Sequence, residues 1–351
     1  MTTSPALSIL DLVPVRTGQT STEAVHSSLD LVRCADRLGL RRYWFAEHHN
    51  MPAVASTTPP VLAAAAAAQT ERIRVGSGGM MLPNHSPLVV AEQFAALEAL
   101  APGRIDLGIG RAPGSDPVIT QLLRMSGPTS DVERFPEYVE NIRALVDASG
   151  AALQLANGGS YTVRATPMAT SSPEVWLLGS SDYSARLAAE LGLPYVFASH
   201  FGGKGLKVAL DLYRSQFRPS EHCLEPRTFL TANAVAAPTV EEAEERAVPQ
   251  LRMMARLRTG QPLIPLETVE QALAGTTDFD VAGQEIMRAT RDTWFVGTGT
   301  DVADRLRDFA AQWEVDEIML SPIAGSYDAE PMDTAPGRIQ TLELVAAALG
   351  E

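Results

Sequence analysis

The chain has 351 residues, 45% hydrophobic and 20% charged, with a formal net charge of −14 at pH 7. That length accommodates one large α/β barrel or two ordinary domains, and the acidic balance argues against wrapping nucleic acid or lying on an anionic membrane. Only Cys34 and Cys223 are present, no signal-like segment opens the chain and no apolar run reaches spanning length, so a soluble protein of the reducing cytoplasm is expected, without a disulfide framework.

Leu7 to Leu12 reads as a first strand. Thr20 and Glu23 have capping-box spacing, and Val25, Leu29 and Val32 recur on one face of a helix closed by Gly39. The second strand is Tyr43-Trp44-Phe45-Ala46, which runs straight into Glu47-His48-His49-Asn50. A near-continuous apolar run of this kind marks a buried parallel strand, so a carboxylate, two imidazoles and an amide are delivered at its C-terminal end. A helix follows from Pro60 through the alanine run to Thr70. Ile73 to Gly78 is the third strand; Ser86 and Pro87 then take the N-cap and first helical position of a helix buried through Val90, Phe94 and Leu97.

Arg104 to Gly110 is the fourth strand, and Arg111 to Pro117 is turn chemistry. Tyr138, Ile142, Leu145 and Val146 mark a helix, and residues 150–173 read as an irregular surface excursion. Glu174 to Leu178 is the fifth strand, before a helix carrying Tyr183, Leu187 and Leu191. Tyr195 to Ser199 is the sixth, followed by a helix over about 204–217, and Phe229 to Ala236 is the seventh, followed by an acidic helix from Val240 to Ala247. Residues 251–293, broken by Gly260, Pro262, Pro265 and a Gly275-Thr276-Thr277 turn, predict short helices in a mobile excursion. Val302, Leu306, Phe309 and Trp313 make a helical face, Glu317 to Leu320 is the eighth strand, and Ile339 to Leu349 the closing helix. Eight strand-then-helix units predict a single TIM (β/α)8 barrel with insertions. A dinucleotide-binding open sheet is set aside because Val13-Pro14-Val15-Arg16, and not a Gly-rich turn, comes after the first strand.

In such a barrel the catalytic face is built from the residues at the C-terminal end of each strand. That gathers Glu47 and His48, then Gly78, Gly79 and Met80, then Arg111, then Gly179, Ser180 and Ser181, with Ser199 and His200 after the sixth strand. The hydroxyls and free N–H groups of Ser180-Ser181-Asp182 are the best anion seat, with Arg111 to meet the remaining charge, although for the serines taken alone an ordinary N-cap is the preferred reading. His48 suits a general acid or base, against a structural histidine at the rim. A metal site is not expected: His48 and His49 point to opposite faces of a regular strand, and only the fold could bring His85 or His200 to them.

Together A-E-H-H-N, G-S-G-G-M-M-L-P-N-H-S-P, G-R-I-D-L-G-I-G-R and W-L-L-G-S-S, most strongly between Arg41 and Pro117, resemble the bacterial luciferase-like flavin monooxygenases. Within that family the chain is similar to tailoring oxygenases of antibiotic polyketide pathways. The resemblance implies a TIM barrel, in dimers, that takes reduced FMN (FMNH2) from a separate flavin reductase, reacts it with O2 and holds the C4a-hydroperoxide to oxygenate a small organic substrate. It implies that His48 is the catalytic histidine, with Glu47 beside it near the flavin. Arg111, Ser180 and Tyr183 match phosphate-side positions, and Gly78-Gly79 falls where a non-proline cis peptide lies against the flavin ring. Gly179 departs from the family's carboxylate, and Tyr183 from its threonine. Two alternatives stay open: a deazaflavin (F420)-dependent reductase on the same barrel, and a non-catalytic flavin-binding protein.

Overall fold

The computed structural model describes residues 4–125, 132–147, 149–275 and 278–350. Its first unit is built as the sequence dictates. Strand β1 (Ala6–Asp11) is followed by helix α1 (Ser21–Arg37), whose N-terminus carries the full Thr20/Glu23 capping box, satisfying two backbone N–H groups that a bare helix start leaves orphaned. Then come β2 (Arg42–Phe45), α2 (Pro59–Ala67), β3 (Arg74–Met81), α3 (Pro87–Leu100), β4 (Ile105–Gly110), α4 (Pro117–Met125) and α5 (Phe135–Val146). A hairpin of β5 (Ala151–Gln154) and β6 (Ser160–Val163) precedes β7 (Glu174–Gly179), α6 (Asp182–Leu191), β8 (Tyr195–Phe197), α7 (Leu206–Gln216) and β9 (Thr228–Ala237). The chain finishes with α8 (Val240–Thr259), α9 (Val269–Ala274), α10 (Val281–Arg291), β10 (Phe295–Thr298), α11 (Gly299–Trp313), β11 (Glu317–Pro322) and α12 (Pro336–Leu349).

Eight of these strands pair in parallel in the order β1-β2-β3-β4-β7-β8-β9-β11, and β11 returns to β1, so the sheet closes on itself. This is the TIM barrel. Closure leaves no free edge, and each strand presents alternate residues to the helix layer and to the interior. Tyr43 and Phe45 of β2 face outward into the large core between strands and helices, whereas Trp44 and Ala46 face inward. Inside, Trp44, Trp176 and Phe229 pack with ring centroids 4.9–5.9 Å apart, together with Leu10, Val196 and Met319. Below them Arg42, buried, spans the barrel floor, giving Nε to Glu317 at 2.7 Å and Nη1 to Asp106 at 3.0 Å. A buried guanidinium is tolerable only when paired this way, and it plugs the N-terminal end.

Several elements differ from the sequence expectations. Residues 150–173 contain the β5–β6 hairpin, turned at Asn157-Gly158, where Asn157 Oδ1 accepts from Gly159 N at 2.9 Å; Asn-Gly is a hairpin signal. Helix α8 does not stop at Ala247 but runs to Thr259 with Pro249 inside it. The short helices expected beyond it are α9 and α10, while residues 276 and 277 of the expected turn lie outside the described residues. Helix α4 begins where the sequence predicts only a turn; Asp116 Oδ1 accepts from Val118 N and Ile119 N at 2.8 and 3.0 Å. Strand β10 is a ninth parallel strand, pairing with Ala234–Ala237 at the far end of β9. Among the described residues no helix is long and apolar enough to cross a membrane.

Candidate active site

The segment leaving β2 is fixed by backbone bonds within its own loop and to the loop after β4. His48 N donates to Ser56 O at 3.0 Å and His49 N to Gly114 O at 3.1 Å. Between them the Glu47 carboxylate, closed to solvent, accepts from His49 Nε2 at 2.9 Å, His85 Nε2 at 2.8 Å and Met81 N at 2.9 Å. Burial by itself raises a carboxyl pKa, but these hydrogen bonds, with the charge of His85, hold Glu47 down at about 2. Asn84 extends the network to Pro113 O at 2.8 Å. The exits of β2, β3 and β4 are therefore clasped around one ionised carboxylate. Gly114 completes the clasp: its φ is +63° and an added Cβ would lie 2.6 Å from Glu47 O, so only glycine fits.

His48 lies two residues beyond the inward-facing Ala46. Its Nδ1 is buried and has no hydrogen-bond partner, an arrangement that native interiors rarely leave unexplained. Burial lowers its pKa, opposed by Glu47 and aided by His49. The neutral imidazole is the form held ready at pH 7, able to take or give a proton.

Across β3 and β4, the Gly78-Gly79 peptide is cis. The pairing shifts by one residue there, Gly78 opposite Gly108 and Met80 opposite Ile109. That extra residue reverses the alternation, so Met80, expected beside a ligand, is turned into the outer core instead. Glu47 also departs from expectation. Placed beside His48 as a catalytic group, it is closed to solvent and sealed off by its own partners.

Beyond β4, Arg111 is exposed and makes no ion pair among the described residues; its Cζ stands 3.9 Å from the Tyr183 ring centroid. Tyr183 is in the first turn of α6, immediately after Ser180 and the N-cap Ser181, both exposed. The Ser181 side chain makes no capping bond, and Asp182, the acidic residue of that turn, is 3.5 Å from Arg186. A stacked guanidinium beside an uncapped helix N-terminus is a competent anion seat. Gly179 has a packing reason: a Cβ would lie 2.3 Å from Ser184 Oγ.

The sequence points to His49 and His85 only as metal ligands to be discounted, and to His200 as a residue of the catalytic face as well. The fold gives the first two to Glu47 and sets His200, after β8, against Thr231 of β9, with Nδ1 2.6 Å from the Thr231 hydroxyl. A cavity of about 610 Å³ exists at the other, N-terminal, end. Its arginines are already engaged, Arg41 by Glu317, Arg214 by Glu314 and Arg227 by Glu174, so it offers no comparable chemistry.

Residues 6–317 match the family model described as luciferase-like monooxygenase. The chain is 42% identical over 321 residues to a luciferase-like monooxygenase of Escherichia coli strain K12, covering 90% of this chain and 91% of that one. Among solved structures, it is similar to apo-MsnO8, with a TM-score of 0.82 and 31% identity over 99% of this chain and 98% of that one. It shares the fold of the oxygenating constituent of 3,6-diketocamphane monooxygenase from Pseudomonas putida, solved in complex with FMN, with a TM-score of 0.71 and 17% identity over 99% and 98% of the two chains.

Proposed function

The chain belongs to the luciferase-like monooxygenase family, and from that premise we propose that it uses reduced FMN and O2 to oxygenate a small organic substrate at the C-terminal mouth of its barrel. Among the described residues, the observation that carries this reading is the unpaired Arg111 guanidinium over Tyr183 beside the uncapped start of α6. A phosphate held there is met by charge-assisted hydrogen bonds from Arg111 and by the hydroxyls of Ser180 and Ser181. The orphaned Nδ1 of His48 supplies a polar partner at the mouth, so the residues present fit a phosphate-tailed flavin. Gly78 and Gly79 let the backbone of β3 come close to a flat ring.

Bound reduced flavin supplies the electrons that activate O2, as the cofactor's own chemistry. The chain's part is to bind, orient and exclude water. Arg111 and the α6 N-terminus fix the phosphate; His48 holds or moves a proton at the mouth. Glu47 is a positioning residue, keeping the His48 and Arg111 loops in register. The resemblance supports a separate flavin reductase as donor, a homodimeric assembly, and a polyketide as one substrate class. The test is turnover with reductase-supplied FMNH2 and isotope-labelled O2 against small ketones, thioethers and alkenes, read by mass spectrometry. One labelled oxygen atom in a product is expected. Hydride transfer from reduced F420 without label incorporation would assign the chain to the deazaflavin reductases instead.

A further inference from the structure

The ring order sets β2 and β8 diametrically opposite. His48 follows β2 two residues after the inward-facing Ala46, and His200 sits in the 3-10 turn Ser199–Phe201 after β8, its Nδ1 2.6 Å from the hydroxyl of Thr231, two residues beyond the inward-facing Phe229 of β9. Both imidazoles therefore stand at the C-terminal mouth, after opposite strands, and the pKa of His200 is pushed down to about 4 by burial and by His48.

His200 is held more rigidly than a rim residue requires. Its backbone N–H donates to Thr231 Oγ1 at 3.2 Å, its carbonyl accepts from Asn233 Nδ2 at 3.0 Å, and its ring packs on Phe201 with centroids 4.1 Å apart. Ser199, its neighbour, donates to Thr231 O at 2.5 Å. The Thr231 hydroxyl has one proton to give and two acceptors in reach, His200 Nδ1 at 2.6 Å and Phe197 O at 3.4 Å. Where that hydroxyl gives its proton to Nδ1, the imidazole's own hydrogen resides on Nε2; where it gives it to Phe197 O, Nδ1–H is the donor instead.

We propose that His200 is a second ligand-facing histidine of the mouth, presenting Nε2–H as a fixed hydrogen-bond donor to an acceptor atom of the substrate. Resting on the monooxygenase reading, this narrows the substrate class to molecules with an oxygen or nitrogen lone pair near the atom to be oxidised, such as a carbonyl, ether or amide. A purely apolar substrate leaves that donor unpaired once water is excluded, at a cost the site avoids by choosing its ligand. Thr231 is a positioning residue that acts through the tautomer of His200.

The chain has six histidines, so selectively nitrogen-labelled histidine resolves them by NMR without any flavin present. The expected result at neutral pH is His200 as the Nε2–H tautomer, reverting to a mixture in Thr231→Val, which keeps the shape and removes the hydroxyl proton. Dimethyl sulfoxide, an acceptor with no proton to give, is the probe: the Nε2–H resonance of His200 should shift saturably in the wild type, and His200→Phe should weaken sulfoxide binding while His200→Gln, which keeps an N–H at that place, restores it. A Nδ1–H or charged His200, a resonance indifferent to the probe, or binding unchanged in His200→Phe overturns the inference. None of these readouts depends on flavin binding, so failure of the monooxygenase reading is seen separately, in the labelled-oxygen experiment.

Discussion

Replacing Glu47 by Gln tests how the site is held together. The carboxylate receives two imidazole N–H groups on Oε1, at 2.9 and 2.8 Å, and the Met81 N–H on Oε2 at 2.9 Å, and it is closed to solvent. Gln has the same shape but one acceptor oxygen. Turned one way its NH2 is set against the Met81 N–H; turned the other it meets the two imidazoles, both of which must move their Nε2 protons to Nδ1 to accept it. A carboxyl brought from 4.5 to about 2 contributes roughly 3 kcal/mol at neutral pH, and breaking a buried charged network costs a similar ~3–5 kcal/mol. The sign comes from the lowered pKa: this stability is present in full above about pH 4.5 and is lost as pH falls toward 2. Urea unfolding of Glu47→Gln should show a loss of about 3 kcal/mol at pH 7, shrinking as the pH approaches about 3. Hydrogen exchange should accelerate at the amides of Met81 and of His49, which donates to Gly114 O. Unchanged stability with unchanged protection of both amides would refute the claim that one carboxylate clasps three strand exits.

Other expectations rest on the same geometry. Arg111→Ala should weaken reduced FMN binding by roughly 10- to 150-fold, the worth of hydrogen bonds to a charged group, with little change in folding stability because Arg111 is exposed. His48→Ala should lower turnover by about 10²–10⁴-fold in single-turnover measurements while FMN affinity stays within a few-fold of wild type. Since burial lowers the pKa of His48 below 6.5, its neutral form persists below that pH, and the acid limb of the activity profile should lie below 6.5. By the same sign, the stability His48 contributes is complete above 6.5 and declines as pH drops toward its folded pKa. Gly114→Ala combines a left-handed backbone with a Cβ 2.6 Å from Glu47 O, so a stability loss of about 2 kcal/mol or more is expected in denaturant unfolding.

The barrel was legible because its strands are apolar runs punctuated by Gly, Pro and polar loops, and because Tyr43-Trp44-Phe45-Ala46 passes without interruption into Glu47-His48. Side-chain period told which of those residues point inward as far as Ala46. It failed at Met80, where one extra residue between Gly78 and Met80 reverses the faces and nothing in the sequence but the paired glycines signals it. Local propensity ends the helix after β9 at Ala247, ahead of Pro249, yet α8 carries that proline through 20 residues, since tertiary packing overrides local propensity. The hairpin at residues 151–163 is short, exposed and poor in β-branched residues on one side, so only its Asn-Gly turn spoke for it. The union of Glu47, His49 and His85, 38 residues apart at the extremes, is a product of closure that no local pattern encodes. The same holds for His200 and Thr231.

The central claim is that Arg111 and the start of α6 hold the phosphate of reduced flavin within reach of His48. Anaerobic titration of the wild type, Arg111→Ala and a Ser180→Ala/Ser181→Ala variant with FMNH2, followed by fluorescence, tests it most directly. The account predicts saturable binding by the wild type that is weakened in both variants, together with loss of discrimination between FMNH2 and reduced riboflavin, which lacks the phosphate. Equal affinity across the three proteins, or wild-type binding that ignores the phosphate, would contradict it.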